Sequence, residues 1–201
     1  MASTLPHSPP ADDGPFLRAD AARNRARLLD AAERLVAEHG AGEVTMEAVA
    51  AAASVGKGTV FRRFGDRTGL LLALLDHSAK KLQGDFLSGP PPLGPGAPAV
   101  ERLRAFGVAV IDWSVEQLDL ILASHSDSVR RLSHPIRQVF LAHVTALLRE
   151  VAVDTDFELH AQALLAYLDP SLIHHLTGEC EMPVSRVKAG WTDLVDRVTR
   201  P

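Results

Sequence analysis

The sequence predicts an all-α protein, and three observations support that prediction. Ala and Leu are the commonest of the 201 residues and Arg is also frequent, and these residue types favour helix over strand. Apolar residues recur every three or four positions along most of the chain, which is the period of one helical face. Proline- and glycine-rich breaks separate the periodic segments. Because 46% of the residues are hydrophobic, the chain is also expected to build a sizeable core.

The first elements follow from composition and period. Residues 1–17 contain Pro, Ser, Gly and Asp without an apolar period, which predicts a disordered tail. A helix is expected around Leu28–Val36, with His39-Gly40 as its natural end. Residues 18–66 are thus expected to form a three-helix domain, called the head below. Residues 67–201 are expected to form a second helical domain, called the body.

Two short helices joined by a tight turn are predicted within 45–64. Thr45 is a good N-cap for the first of them, because its hydroxyl can accept from the helix start. The small side chain of Ala50 suits a close crossing of the two helices. The positions expected to face inward are all apolar: Val49, Ala50, Val55, Val60 and Phe64.

The remaining chain continues the helical pattern, so that about nine helices are expected in all. Asp66 can cap a helix that runs to about residue 83, and the segment 88–99 is too rich in proline to be helical. Asp169-Pro170 interrupts a long apolar stripe, where the helix either kinks or restarts. Further helical segments are predicted at 100–113, 121–132, 135–151, 157–177 and 184–198.

Charge is distributed unevenly along the chain. The formal net charge is −4, which argues against a general binder of polyanions. Residues 18–67 carry nine Lys or Arg against seven acids, a local balance of +2 that leaves −6 for the rest. A basic head on an acidic body is the asymmetry expected of a site-specific DNA-binding protein.

The outward face of the second short helix is polar and cationic. A helix in the major groove needs donors outward for phosphates and base edges, and apolar side chains inward for support. Arg62 or Arg63 could pair with guanine, whereas Lys57 and Arg67 suit phosphates. Helical hairpins with solvated arginines are common, so spacing alone supports DNA binding and a plain surface hairpin about equally.

The residues themselves resemble a known family. SVGKGTVFRRFGDRTGLLLALL at 54–75, preceded by TMEAVAAAA, is similar to the DNA-binding domain of TetR-family repressors over about residues 20–75. The resemblance implies a repressor that a small-molecule effector releases from a palindromic operator, with a helix-turn-helix domain ahead of an effector-binding and dimerisation domain. It also implies DNA contacts at Thr45, Lys57, Gly58, Thr59, Phe61, Arg63 and Arg67, with Arg62 alongside.

Three positions depart from the family pattern. Ser54 stands where the turn often has glycine, and costs about 1 kcal/mol if φ is positive there. Gly56 replaces the usual serine cap of the recognition helix. Phe61 replaces a common tyrosine, so a hydroxyl that could bind phosphate is absent. These changes bear on affinity and leave the predicted fold intact.

The resemblance implies that the last two long helices pair with those of a second copy. Apolar stripes at roughly 157–177 and 184–198 are consistent with a homodimer, and Trp191 would anchor its interface. The alternative is that these residues only pack the core of one protomer. The predicted interface comprises Leu164, Leu168, Leu172, Leu176, Val187, Trp191, Leu194 and Val198.

A ligand cavity is expected among the helices of 100–176. The absence of an evident Lys or Arg cluster there favours a mostly apolar effector. For each single candidate, ordinary core packing is the stronger alternative. The predicted lining residues are Phe106, Val110, Trp113, Ile121, His125, Phe140, His143, Tyr167 and His174.

Other classes of function find less support. Cys180 is the only cysteine and is expected to be a packed apolar residue, so a cytoplasmic protein without an intramolecular disulfide is predicted. No apolar run is long enough to cross a membrane. No metal-ligand spacing, cofactor loop or Cys–His arrangement for nucleophilic catalysis is evident, so neither an enzyme nor a metal or cofactor is expected.

Two alternatives stay open. One is a helical small-molecule-binding protein or enzyme without DNA function. The other is a regulator that responds to a protein partner or to its own concentration.

Overall fold

The computed structural model describes residues 15–123, 135–151 and 156–200. Within these ranges the chain is helical and contains no strand, as the sequence predicts. A 3-10 helix at Ala41–Glu43 and a π-helical turn at His175–Glu179 supplement the α-helices. The α-helices of the described ranges are α1 (Pro15–His39), α2 (Met46–Ala52), α3 (Lys57–Phe64), α4 (Arg67–Ser88), α5 (Ala99–Glu116), α6 (Leu118–Ala123), α7 (Pro135–Glu150), α8 (Phe157–Tyr167), α9 (Pro170–His174) and α10 (Val184–Val198).

Helix ends lie where the sequence supplies caps and breakers. α1 stops at His39 because Gly40 takes φ of 81° and turns the chain. The Asp66 carboxylate accepts from the Gly69 N–H at 2.8 Å and starts α4. Asp169 accepts from the Ser171 N–H at 2.8 Å, so the helix restarts at Pro170. At the N-terminus α1 begins at Pro15, inside the segment predicted as a tail; residues 1–14 lie outside the described ranges.

The N-terminal core forms where α1, α2, α3 and the first half of α4 meet. Every apolar position predicted to face inward in the helix-turn-helix belongs to it, either fully or partly buried. Leu120 of α6 also lies in this core, at 3% exposure, because α6 packs on α4 and on the 3-10 helix. The body therefore reaches into the head through α6.

The C-terminal core joins the second half of α4 to α5, α7, α8 and α10. Three phenylalanines form its centre in edge-to-face contacts, with ring centroids 5.3 Å apart for Phe86–Phe106 and 5.4 Å for Phe106–Phe140. The His143 ring stacks against Phe86 with centroids 4.3 Å apart. Of the segment 88–99 predicted to be non-helical, residues 89–98 are not helical, whereas Ser88 ends α4 and Ala99 begins α5. Leu93 of this segment packs against the C-terminal core.

α4 belongs to both cores. Leu70, Leu71 and Leu74 are fully buried in the N-terminal core, whereas Leu82 and Phe86 are buried in the C-terminal one. The predicted division at residues 66/67 therefore coincides with the start of α4, but the packing of the head continues two turns beyond it.

None of the helices in the described part of the chain combines the length and the apolar character needed to span a membrane.

Candidate nucleic-acid interface

The turn between α2 and α3 is fixed by local hydrogen bonds. Thr45 caps α2 as predicted, since its Oγ1 accepts from the Ala48 N–H at 3.1 Å. Ser54 has φ of 53°, the left-handed conformation for which the family pattern uses glycine. The Val55 N–H then donates to the Ala50 carbonyl at 2.9 Å and closes the turn. The strained position anticipated at Ser54 is thus present.

One face of α3 packs against the N-terminal core, and the opposite face is exposed. Its Val60 side chain is completely buried, whereas Lys57, Gly58, Phe61, Arg62 and Arg63 are exposed. The glycine N-cap at residue 56 contributes no side-chain hydrogen bond, as the sequence indicated. Thr59 is partly buried. The exposed side of α3 has the division of cationic and apolar faces that a recognition helix requires.

Lys57 is engaged with its neighbours on this face. Its ammonium forms an ion pair with the carboxylate of Glu47 on α2 and lies 5.4 Å from the centroid of the Phe61 ring. The hydrogen bond from Lys57 is the main cause that lowers the pKa of the Glu47 carboxyl below its usual range. Sequence spacing did not reveal Glu47, because pairs between two helices depend on their crossing angle.

Arg67 has a different role from the phosphate contact predicted for it. Its Nε donates to the carbonyl of Val44 at 2.8 Å, and its Nη2 donates to Ala41 at 2.7 Å and to Gly42 at 3.0 Å. Two of these carbonyls belong to the 3-10 helix, and that of Val44 follows it directly, just before α2. Because the guanidinium is committed to them, Arg67 fixes the start of the helix-turn-helix from within the protein.

The cavity of the body lies between α4, α5, α6, α7 and α8 and has a volume of about 130 Å³. Four of the predicted lining residues border it: Val110, Trp113, Ile121 and Phe140. The Trp113 indole N–H donates to Ser78 Oγ at 3.0 Å, which leaves the apolar ring for the cavity. The lining that the sequence prediction missed is Leu72, Leu75, Asp76, Ile136, Arg137, Leu165, Leu168, Asp169 and Pro170.

The other predicted lining residues do not border the cavity. Phe106 and His143 are buried in the aromatic centre of the core. The Tyr167 hydroxyl donates to the Val187 carbonyl at 2.7 Å, on the far side of α8. His174 is partly buried on α9 beside Gly178, and His125 lies outside the described ranges. Burial in the core excludes Phe106 and His143 from the cavity, and helical period alone could not separate these two environments.

The predicted interface residues divide into two groups. Leu164, Leu168, Val187 and Trp191 are 4% exposed or less within one protomer, so a partner has almost no surface of theirs to contact. Leu168, Val187 and Trp191 therefore fit the alternative of core packing, whereas Leu164 also borders the groove between α8 and α10. Leu172, Leu176, Leu194 and Val198 retain accessible surface.

An apolar groove of about 370 Å³ runs between α8 and α10. Leu164, Leu172, Leu194 and Val198 of the predicted interface border it, and so do His160, Ala163, Ala166 and Tyr167, which the interface prediction omitted. The short side chains of the two alanines would allow a second helix to approach this groove closely.

A polar cluster joins α1 to α4 in the head. Donor atoms of Asp30, Glu33 and His77 lie within 4.8 Å of one another. Lys81 Nζ is 2.6 Å from Glu33, and His77 Nε2 is 3.3 Å from Asp30, so side chains of α4 already engage both carboxylates. The sequence did not reveal this grouping, since residue 77 is remote in the chain.

Cys180 is exposed and not a packed apolar residue as predicted. Its Sγ lies 3.4 Å from His175 Nε2, and His175 Nδ1 lies 2.8 Å from Glu179. The sequence analysis did not anticipate this Cys–His contact. The π-helical turn brings these residues together. Because its hydrogen bonds join residues five positions apart, the spacing rule for an α-helix does not predict this contact.

The N-terminal part of the chain matches a known protein family. Residues 28–74 match the family of bacterial regulatory proteins, tetR family. No curated protein matches the chain. The match spans α1 to the first turns of α4, the same elements that form the N-terminal core.

Solved structures share the fold over nearly the whole chain. A TetR-family transcriptional regulator from Streptomyces coelicolor is 24% identical, with 89% of this chain and 95% of that one covered and a TM-score of 0.59. The fatty acid degradation regulator FadR from Bacillus halodurans is 19% identical, with 92% and 96% covered and a TM-score of 0.60. A transcriptional regulator from Saccharomonospora viridis in complex with choline is 20% identical, with 87% and 96% covered and a TM-score of 0.60.

The helix-turn-helix at 45–64, its exposed cationic face and these matches lead to one conclusion. The chain is a DNA-binding transcriptional regulator, and its N-terminal domain belongs to the tetR family.

Proposed function

We propose that the protein is a repressor that binds a palindromic operator as a homodimer and is released by a small, mostly apolar effector. The observation that carries the DNA-binding part is the exposed face of α3, where Arg62 and Arg63 project from a helix that Val60 anchors. Exposed guanidinium groups on such a helix can reach base edges or phosphates in the major groove.

Substitution of these arginines tests their role. Arg62→Ala and Arg63→Ala should each weaken binding to a selected duplex about tenfold or more, because one good base contact contributes ~1–3 kcal/mol. Arg149→Ala is the matched control, since it removes an exposed arginine from α7 in the body. Equal affinities for the wild type and all three variants would contradict the proposal and favour a plain surface hairpin.

The homodimer proposal rests on the groove between α8 and α10. An apolar face of this kind is stabilised when a second copy covers it, and twofold pairing of two heads accounts for a palindromic site. Leu194→Glu should convert the dimer to a monomer of 21.6 kDa in light scattering. Leu87→Glu on α4, where the wild-type leucine is 51% exposed, should leave the mass unchanged. A monomeric wild type would contradict this part.

The effector proposal rests on the cavity lining. Leucine, isoleucine and aromatic side chains dominate it, and two carboxylates, Asp76 and Asp169, accompany one arginine, Arg137. This balance favours a neutral or cationic polar group on the effector over an anionic one. One similar structure holds choline, a cation, which agrees with that preference.

Two helices, α4 and α6, each contact both the cavity and the N-terminal core. In α4, Leu71 is buried in the head while Leu72 borders the cavity. In α6, Leu120 is buried in the head while Ile121 borders the cavity. A ligand that shifts either helix would therefore change the position of α3, and coupling of this kind is typically worth ~1–3 kcal/mol.

A neutral apolar dye, phenylnaphthylamine, can probe the cavity. Leu72→Arg should abolish the dye's fluorescence increase, whereas the control Leu87→Arg on the same helix should keep it. Equal dye binding by both variants would contradict a ligand site here.

A second candidate is a regulator that responds to a protein partner or to its own concentration. The observation that favours it is the cavity volume of about 130 Å³, which is below the ~300–1,000 Å³ typical of ligand pockets. Failure of the wild type to bind the dye, choline or other small probes, together with intact DNA binding, would support this candidate.

A further inference from the structure

Glu47 lies beside the α3 surface proposed to face DNA. It occupies the first turn of α2, and its carboxylate is paired with Lys57 in the first turn of α3. DNA phosphates repel a carboxylate and attract an ammonium group. The pair therefore opposes the function proposed for this surface, and its presence there calls for an explanation.

Lys57 is held from two sides. The Glu47 carboxylate engages its ammonium, and the Phe61 ring lies beneath it with 5.4 Å from Nζ to the ring centroid. The Lys57 and Glu47 side chains are 57% and 56% exposed, so a phosphate can reach the same ammonium. Water screens an ion pair this exposed, and exchange of one anionic partner for another is accordingly easy.

We propose that Glu47 competes with DNA phosphate for Lys57 and so limits the affinity of the head for DNA of any sequence. This inference rests on the proposed function, since it assumes that α3 faces the duplex. In the free protein Lys57 is neutralised by Glu47. In the complex the ammonium turns to a phosphate, and the carboxylate is left unpaired beside the DNA backbone.

The competition has a physical consequence for recognition. Non-specific binding depends almost entirely on cation–phosphate contacts, whereas base readout depends on side chains such as Arg62 and Arg63. A carboxylate that occupies a phosphate-binding lysine therefore weakens the contact that carries no sequence information.

Four proteins test the competition: wild type, Glu47→Gln, Lys57→Gln and the double variant. Each is titrated against a short fluorescein-labelled duplex of arbitrary sequence, by anisotropy, between about 50 and 200 mM salt. Glu47→Gln should bind roughly threefold to tenfold more tightly than wild type and steepen the slope of log K against log salt by up to ~0.9. In the Lys57→Gln background the same substitution should change affinity by less than about twofold.

Glu43→Gln is the matched control, because it removes the same charge from an exposed position four residues earlier. It should have a smaller effect than Glu47→Gln. Both side chains of the pair are exposed, so each variant is expected to fold, and thermal unfolding by circular dichroism checks this.

Three results would overturn the inference. Unchanged or weaker binding by Glu47→Gln would show that the pair does not restrain Lys57. Equal gains with and without Lys57 would show that Glu47 acts only as a nearby negative charge. If neither the wild type nor any variant binds this duplex or a selected one, the proposed function itself fails, and the inference fails with it.

Discussion

The indole of Trp191 occupies the space that a side chain at Gly107 would fill. A Cβ built on Gly107 would lie 1.8 Å from Trp191 Cε2, and the indole N–H donates to the Arg104 carbonyl at 3.1 Å. The contact locks α10 against α5 at the centre of the C-terminal core. It also explains why Trp191, which the sequence suggested as an interface anchor, is fully buried within one protomer.

Gly107→Ala should destabilise the protein strongly. The new methyl group overlaps the indole, and overpacking of a core costs about 3 kcal/mol when the neighbour is rigid. Urea denaturation measures the loss. Gly84→Ala in α4 is the control, because no atom lies within 4 Å of its Cβ position. That variant should gain roughly 1 kcal/mol from helix propensity, and equal effects at both positions would argue against the Gly107–Trp191 contact.

Ser54→Gly should stabilise the head. Ser54 holds φ of 53°, and a left-handed conformation costs a residue with a side chain about 1 kcal/mol that glycine avoids. Ser54→Ala keeps the unfavourable φ and removes the hydroxyl, so the difference between the two variants isolates the backbone effect. The free energy of unfolding in urea should be higher for the glycine variant. A glycine variant no more stable than the alanine variant would contradict this account.

Arg67→Ala should reduce stability more than it reduces the salt dependence of DNA binding. It deletes the charged donor for three carbonyls before α2, and hydrogen bonds to a charged group contribute ~1.5–3 kcal/mol each at most sites. Arg67→Lys keeps the charge but not the forked geometry, so it should recover only part of the stability. If the alanine variant stayed as stable as wild type while its salt slope fell by ~0.9, Arg67 would be a phosphate contact after all.

Acid should destabilise the body through His143. Burial, together with the charge of Arg102, lowers the pKa of His143 to about 4 in the folded state, against ~6.5 for an unfolded histidine. The unfolded state therefore binds the proton first as the pH falls below 6.5, and stability is lost progressively down to about pH 4. The loss from this group should be about 2 kcal/mol at pH 5 relative to pH 7.

His143→Leu isolates that contribution, because other groups titrate alike in both proteins. The change in unfolding free energy between pH 7 and pH 5 should be smaller in this variant than in wild type. His39→Gln, which replaces an exposed histidine at the end of α1, should retain the wild-type change. Identical pH profiles for wild type and His143→Leu would contradict the burial argument.

The sequence predicted local features more accurately than contacts between distant helices. Thr45, Asp66 and Asp169 cap their helices as expected, because a cap depends on residues only two or three positions away. The cavity was only partly predicted, since it was expected among the helices of 100–176, whereas α4 also lines it with Leu72, Leu75 and Asp76. The run of leucines in α4 at 70–72 and 74–75 is wider than one helical face, which indicates burial on two sides.

Contacts that depend on crossing angles were not predictable in this way. The pair Glu47–Lys57, the Arg67 hydrogen bonds and the fit of Trp191 on Gly107 each join elements whose relative placement no spacing rule gives. The π-helical turn at 175–179 also changes the helical period, and it brought Cys180 to His175 without a sequence signal.

Selection of bound sequences from a random duplex pool, at stated salt concentration, tests the central claim most directly. The account predicts enrichment of a palindrome whose half-sites are about one helical turn apart, or ~10 base pairs. The enrichment should be lost with Arg62→Ala/Arg63→Ala and kept with Arg149→Ala. No enriched sequence with the wild-type protein, or the same enrichment with the doubly substituted α3, would contradict recognition of DNA by this helix.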